Sequence, residues 1–217
     1  MHQHLHREIE KLKKKIMIVG TLVEESLRDS IKAVIERNTK HAQLIIESDA
    51  IVDDKEVELE EECLKILALY QPVAIDLRYI ISVLKINNDL ERIGDLAVNV
   101  AERAVYLTSQ PPITIPDTIP RMAVIVQDML KNSLDALVNM DTVIAAKVCE
   151  SDDEVDDLLD GMYPFIQSMI EQEPEQINIW LQLLSIARYL ERAADHCTNI
   201  AEDVEYLVNG EIKRHSY

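Results

Sequence analysis

With 217 residues, the chain is long enough to bury a real core, as one domain or two small ones. Only four glycines and seven prolines punctuate it, aromatics are scarce, and Leu, Ile, Ala, Glu, Asp and Lys dominate, which favours helix and argues against sheet. Lys and Arg number 22 against 40 Asp and Glu, a net charge of −18, so phosphate backbones and anionic lipid repel most of the molecule and nucleic acid is a poor candidate partner.

The first helical segment opens with His2, His4 and His6, a spacing that resembles a metal-binding cluster but reads as incidental so close to a terminus. Lys11, Lys13, Lys14 and Lys15 come next, a basic run read as the solvated face of this helix. Met1 to Lys15 is too charged for a signal peptide, and no stretch approaches the ~20 apolar residues of a membrane span. Cys63, Cys149 and Cys197 form no CxxC pair and suit a reducing compartment, so a cytoplasmic location is expected.

Helix one should end at Asn38-Thr39, with Asn38 capping helix two, and helix two at Gln71-Pro72. Helix three then runs to Ser109. Pro111, Pro112, Pro116 and Pro120 lie just beyond, and a segment so rich in proline cannot be helical throughout, because each ring removes a donor and clashes with the preceding turn. Residues 110–120 are therefore read as a linker between residues 1–109 and 121–217. Breaks at Met140-Asp141, where Asp141 is the expected cap, and at Glu173-Pro174 complete the set of six helices. Gly161 and Pro164 predict a kink or local break inside helix five.

The second half repeats the first. Glu47-Ser48-Asp49 and Val52-Asp53-Asp54 match Glu150-Ser151-Asp152 and Val155-Asp156-Asp157 at an offset of 103. Leu90-Glu91-Arg92, Asp95, Asn99, Ala101 and Glu102 match Leu190-Glu191-Arg192, Asp195, Asn199, Ala201 and Glu202 at an offset of 100. A duplicated unit must pack on itself, which predicts an all-α protein of two tandem three-helix bundles.

Helix three carries Leu77, Ile81 and Leu84 at alternating three- and four-residue spacing, and the same stripe continues through Asn88, Glu91, Asp95, Val98 and Glu102. Helix six runs likewise from Ile177, Leu181 and Leu184 to Arg188, Glu191, Asp195, Thr198 and Glu202. Acids are expected to enter the buried seam. Residues four apart differ by only about 40° around a helix, so each Glu-x-x-x-Asp puts two carboxylates on one face. Helix two adds Asp49 and Asp53, and helix five Asp152 and Asp156, again four apart. Asp53 precedes the Pro72 turn by about as many residues as Glu91 lies after it, so antiparallel packing brings the pairs level; Asp156 and Glu191 straddle Pro174 in the same way.

Four anions cannot share such a seam without a cation or a set of salt bridges, because like charges raise pKa values or push the helices apart. Oxygen-only ligands suit Mg²⁺, Mn²⁺, Ca²⁺ or iron, in multinuclear sites. Asn99 and Asn199 are candidate carbonyl ligands, and Glu25 and Asp128, matched by the repeat, are further candidates. The alternative is pairing with Arg92, Arg188, Arg192 and nearby lysines. His196 and Cys197 have Leu96 and Ala97 as counterparts and are not counted as ligands.

Catalytic signatures are missing: there is no Glu-x-x-His pair, no glycine-rich phosphate loop, no nucleophile elbow and no His-Glu-x-x-His. A non-enzyme is expected. Metal-assisted hydrolysis at the carboxylates is the alternative, and a metal-free helical scaffold is another.

At these same residues the chain resembles the PhoU family. The resemblance rests on Leu67-Ala-Leu-Tyr-Gln-Pro-Val-Ala-Ile-Asp-Leu-Arg78 and Leu84-Lys-Ile-Asn-Asn-Asp-Leu-Glu-Arg-Ile-Gly-Asp95, with Met17 to Leu27 similar to its first helix. The second repeat departs from the pattern at Ala193-Ala194, where the first has Ile93-Gly94. Membership implies six helices in two bundles, metal clusters on the acidic pairs and frequent homodimers. It further implies a cytoplasmic negative regulator of the phosphate-starvation response, acting between the phosphate ABC transporter and a sensor histidine kinase.

Overall fold

In a computed structural model, residues 2–210 are described. They form six helices: α1 (His2–Ile35), α2 (Thr39–Tyr70), α3 (Ala74–Ser109), α4 (Thr118–Asn139), α5 (Thr142–Gln172) and α6 (Ile177–Asn209), with a 3-10 turn at Pro174–Gln176. No strand occurs among the described residues. The termini obey local chemistry. Asn38 accepts from the His41 amide at 3.1 Å, and Asp141 Oδ1 accepts from the Val143 and Ile144 amides at 2.8 and 3.2 Å, so both expected caps satisfy orphan donors. At the far end of α3, the Arg37 guanidinium donates to the carbonyls of Leu107, Thr108 and Gln110, placing a cation where the helix ends in unpaired oxygens.

Helices α1, α2 and α3 pack on one another, and α4, α5 and α6 repeat the arrangement. The halves join chiefly through α3 and α6, with a smaller contact between α1 and α4, and one continuous apolar core runs through both. Side-chain bonds order α3 and α6 as antiparallel. Arg78 reaches the Leu207 carbonyl, Ser82 the Asp203 carbonyl, Asp89 meets His196, and Arg103 meets Gln182. Where α1 meets α4 the approach is tight: a Cβ on Gly20 would lie 2.6 Å from Leu134 Cδ1, closer than real contacts allow.

The structure corrects two expectations. The buried stripe of α3 is Ile80, Val83, Ile86, Leu90, Ile93, Ala97 and Val100, while Leu77 is 39% exposed. In α6 it is Leu183, Ile186, Leu190, Ala193, Cys197 and Ile200, while Ile177 and Leu181 are exposed. The acids thus border the core rather than enter it. Helix α5 also continues through Gly161 and Pro164, so the local break, one of the two outcomes expected there, does not occur. Pro164 and Asp160 both lie on the solvent face, where the carbonyl that loses its partner meets water, while Leu159, Met162 and Ile166 anchor the inner face.

Candidate metal centres

In the first half the α2–α3 hairpin brings the predicted acids to one level. Asp49, Glu91 and Asp95 are half-buried and Asp53 is exposed at the rim. Burial, then the Asp53 and Asp95 carboxylates, push the Asp49 carboxyl above its ordinary value. Burial and Asp95 raise Glu91, with smaller contributions from Asp53 and Glu56, while Arg92 opposes them. The four groups therefore sense one another across the helix pair. Arg92 supplies part of the alternative pairing: its guanidinium lies 3.4 Å from Glu91 Oε2 and 3.3 Å from Asp95 Oδ2. The Asp95 contact is solvent-facing, since Arg92 is 53% and Asp95 41% exposed, and such a pair contributes little, whereas the Glu91 oxygen that Arg92 faces is itself buried.

The second half has the same layout with less neutralisation. Asp152 and Glu191 are half-buried, and Asp156 and Asp195 stand at the rim. Burial drives the Asp152 carboxyl up to about 7, helped by Asp195, Asp156 and Glu191. Burial and Asp195 likewise raise Asp156. Glu191 is raised by burial, Asp195 and Asp156 against the pull of Arg188 and Arg192. Burial also raises Asp195, opposed by His196 and Arg192. Among the described residues none of these four acids makes an ion pair within 4 Å, so the second half lacks an equivalent of the Arg92 contacts.

The donor chemistry fits a hard or intermediate cation. Every candidate is an oxygen, and two of the oxygens, Glu91 Oε2 and Asp152 Oδ1, are buried without a hydrogen-bond partner. As they stand, no three His, Cys, Asp or Glu side chains among the described residues gather closely enough to hold an ion.

The other candidates lie apart. Asn99 Nδ2 donates to the Asp95 carbonyl at 2.8 Å. Asn199 is turned toward α3, 3.4 Å from Asp89 Oδ1. Glu25 and Asp128 are exposed on α1 and α4. His196 faces Asp89 at 2.8 Å and Cys197 is wholly buried. His4 and His6 are exposed, and the side chain of His2 lies outside the described residues. The basic run is largely paired within the chain: Lys11 with Glu8, Lys13 with Glu10, and Lys15 with Glu58. Sequence reasoning missed Asn87, a fully buried amide bonded across to Glu56 on α2. Its only signal was a polar residue in the register of Val83 and Leu90.

The glycine-to-alanine part of the Ala193-Ala194 departure is sterically neutral. A Cβ on Gly94 would rest 3.5 Å from Val52, an ordinary contact, so alanine fits either repeat.

Fold and site together define a duplicated, all-helical protein with one acid-lined helix pair in each half. The PhoU domain model matches residues 16–104 and 119–204, and the chain belongs to that family. The Phosphate-specific transport system accessory protein PhoU homolog of Aquifex aeolicus is 38% identical over 213 residues, covering 98% of this chain and 96% of that protein. The identically named Synechocystis protein is 37% identical over 209 residues, covering 95% and 92%. Among solved structures, PhoU from Pseudomonas aeruginosa superimposes with a TM-score of 0.90 at 35% identity, covering 95% of this chain and 99% of that one. The phosphate transport system regulatory protein PhoU from Streptococcus pneumoniae gives 0.87 at 28% identity, covering 96% and 98%. No described helix is long and apolar enough to cross a membrane.

Proposed function

We propose that this protein is a metal-dependent, non-catalytic negative regulator of the phosphate-starvation response and of phosphate uptake. It works in the cytoplasm, as a homodimer, as an adaptor between the phosphate ABC transporter and a sensor histidine kinase. The observation that carries the reading is the pair of matched acid sets, each with a buried carboxylate oxygen that accepts no hydrogen bond, on a chain that spans nearly the whole length of accessory-protein relatives.

Asp49, Asp53, Glu91 and Asp95 would hold cations in the first half, and Asp152, Asp156, Glu191 and Asp195 in the second. A bound cation supplies positive charge, and the residues do the rest. They tie α2 to α3 and α5 to α6 by removing the repulsion that otherwise opposes each hairpin. Because α3 and α6 also form the junction between halves, cation occupancy biases the shape presented to partners, which is the requirement for a switchable adaptor.

A phosphate-responsive reporter in a deletion strain tests the role. The reading expects derepression in rich phosphate, restored by the wild-type gene and not by a gene with both acid sets replaced. An unchanged reporter contradicts it. A hydrolase would instead show metal-dependent turnover that disappears in Asp95→Ala.

A further inference from the structure

Among the matched positions at which the two halves differ is a buried polar pair that only the first half carries. Asn87 on α3 is 1% exposed. Its Nδ2 donates to the Glu56 carbonyl at 2.9 Å and to Glu56 Oε1 at 3.2 Å, crossing from α3 to α2. Its Oδ1 is buried with no partner. One turn along α3, Glu91 Oε2 is also buried without a hydrogen bond, with the Arg92 guanidinium 3.4 Å away. Leaving the Asn87 oxygen unpaired in the interior is costly, and the Glu91 oxygen has only that Arg92 contact.

Across from them, Glu56 is raised by burial and by the Glu60 and Asp53 carboxylates, so this end of the hairpin is crowded with oxygen and short of positive charge. By the repeat offsets, the second half has Leu159 in place of Glu56 and Ala187 in place of Asn87, both buried. An apolar pair therefore suffices for packing. The first half carries a carboxylate and an amide instead.

We propose that Glu56 and Asn87 are additional donors of the first-half cation site, a carboxylate and a carbonyl oxygen beside Glu91, which the second half lacks. The two centres are then chemically unequal. The first, with a neutral carbonyl and one more carboxylate, holds a hard, oxygen-preferring divalent cation more tightly than the second. This rests on the metal reading above, and names the residues that set the difference.

The test uses the full chain with Glu191→Gln and Asp195→Asn, so that only the first half binds. Mn²⁺ is titrated into metal-free protein, and free Mn²⁺ is monitored by its electron paramagnetic resonance signal. Against that parent, Asn87→Ala should weaken binding on the order of ten- to a hundred-fold, the usual cost of losing a ligand or its support. Asn87→Asp loses the amide bond to the α2 backbone but keeps an oxygen toward the cation and adds a negative charge, and should bind at least as tightly as the parent does. The double change E56L/N87A copies the pair that already packs in the second half, so it should stay helical while losing the same affinity. Unchanged binding in Asn87→Ala and in E56L/N87A overturns the proposal. Equal weakening in Asn87→Ala and Asn87→Asp also overturns it, making Asn87 a clip between helices and no ligand. If the parent itself takes up no Mn²⁺ while wild-type protein does, the first half is no cation site and the proposal falls with it; if neither binds, the metal reading fails as a whole.

Discussion

Replacing Asp152 with asparagine isolates the charge that the second half leaves uncompensated. In the folded, metal-free chain its carboxyl is pushed up to about 7 from an ordinary 3.8. Between those values the folded chain holds a proton that the unfolded chain has released, so stability falls as pH rises through the window. At about 1.36 kcal/mol per pH unit, a dry site would accumulate about 4 kcal/mol by pH 7. Asp152 is only partly buried, and screening brings the expected share to about 2 kcal/mol. Asparagine has nearly the same shape and no charge. Metal-free Asp152→Asn should therefore exceed wild type by about 2 kcal/mol at pH 8, or about 4–8 °C in melting temperature. The advantage should shrink below about 1 kcal/mol at pH 5, where much of the wild-type group is protonated. Urea titrations monitored by far-ultraviolet circular dichroism, on chelator-treated proteins at several pH values, measure both numbers. No gain at pH 8, or a gain independent of pH, would refute the assignment of this cost to an ionised carboxylate.

A divalent cation should reverse the effect. Wild-type protein at a hundredfold excess over Kd should gain about 2.7 kcal/mol per site, visible by calorimetry as a higher Tm that chelator abolishes, and Asp152→Asn should recover less. Gly20→Ala puts a methyl group into the Leu134 side chain where α1 crosses α4, and should cost about 1–3 kcal/mol by thermal melting. Arg37→Ala removes the cation from three carbonyls at the end of α3 and should cost about 1–3 kcal/mol by thermal melting.

Much of the architecture was legible because helix ends are punctuated by chemistry that acts locally. Asn38 caps α2 and Asp141 caps α5, and prolines at 72, 111, 112, 116 and 174 fall outside the α-helices. Which face of α3 is buried was not legible. The helix contacts α1, α2 and α6, and the Leu77–Ile81–Leu84 stripe and the Ile80–Val83–Ile86 stripe both satisfy helical spacing. The break expected at Pro164 is absent for a related reason. The proline's effect depends on whether the freed carbonyl meets water, a property of tertiary position. The acid pairs could be found from duplication and level-matching alone. Asn87 and Glu56 could not, since the repeat that exposes the pairs hides whatever occurs in one copy only.

Both the regulatory role and the inequality of the two centres require the acids of each half to be cation ligands. Metal content of the purified protein, measured by mass spectrometry of the elements, tests this most directly when wild type is compared with E91Q/D95N and with E191Q/D195N. The account predicts bound metal in wild type, loss of one share in each double variant, and none when all four substitutions are combined. Wild-type protein without stoichiometric metal, or metal that survives all four substitutions, would contradict it.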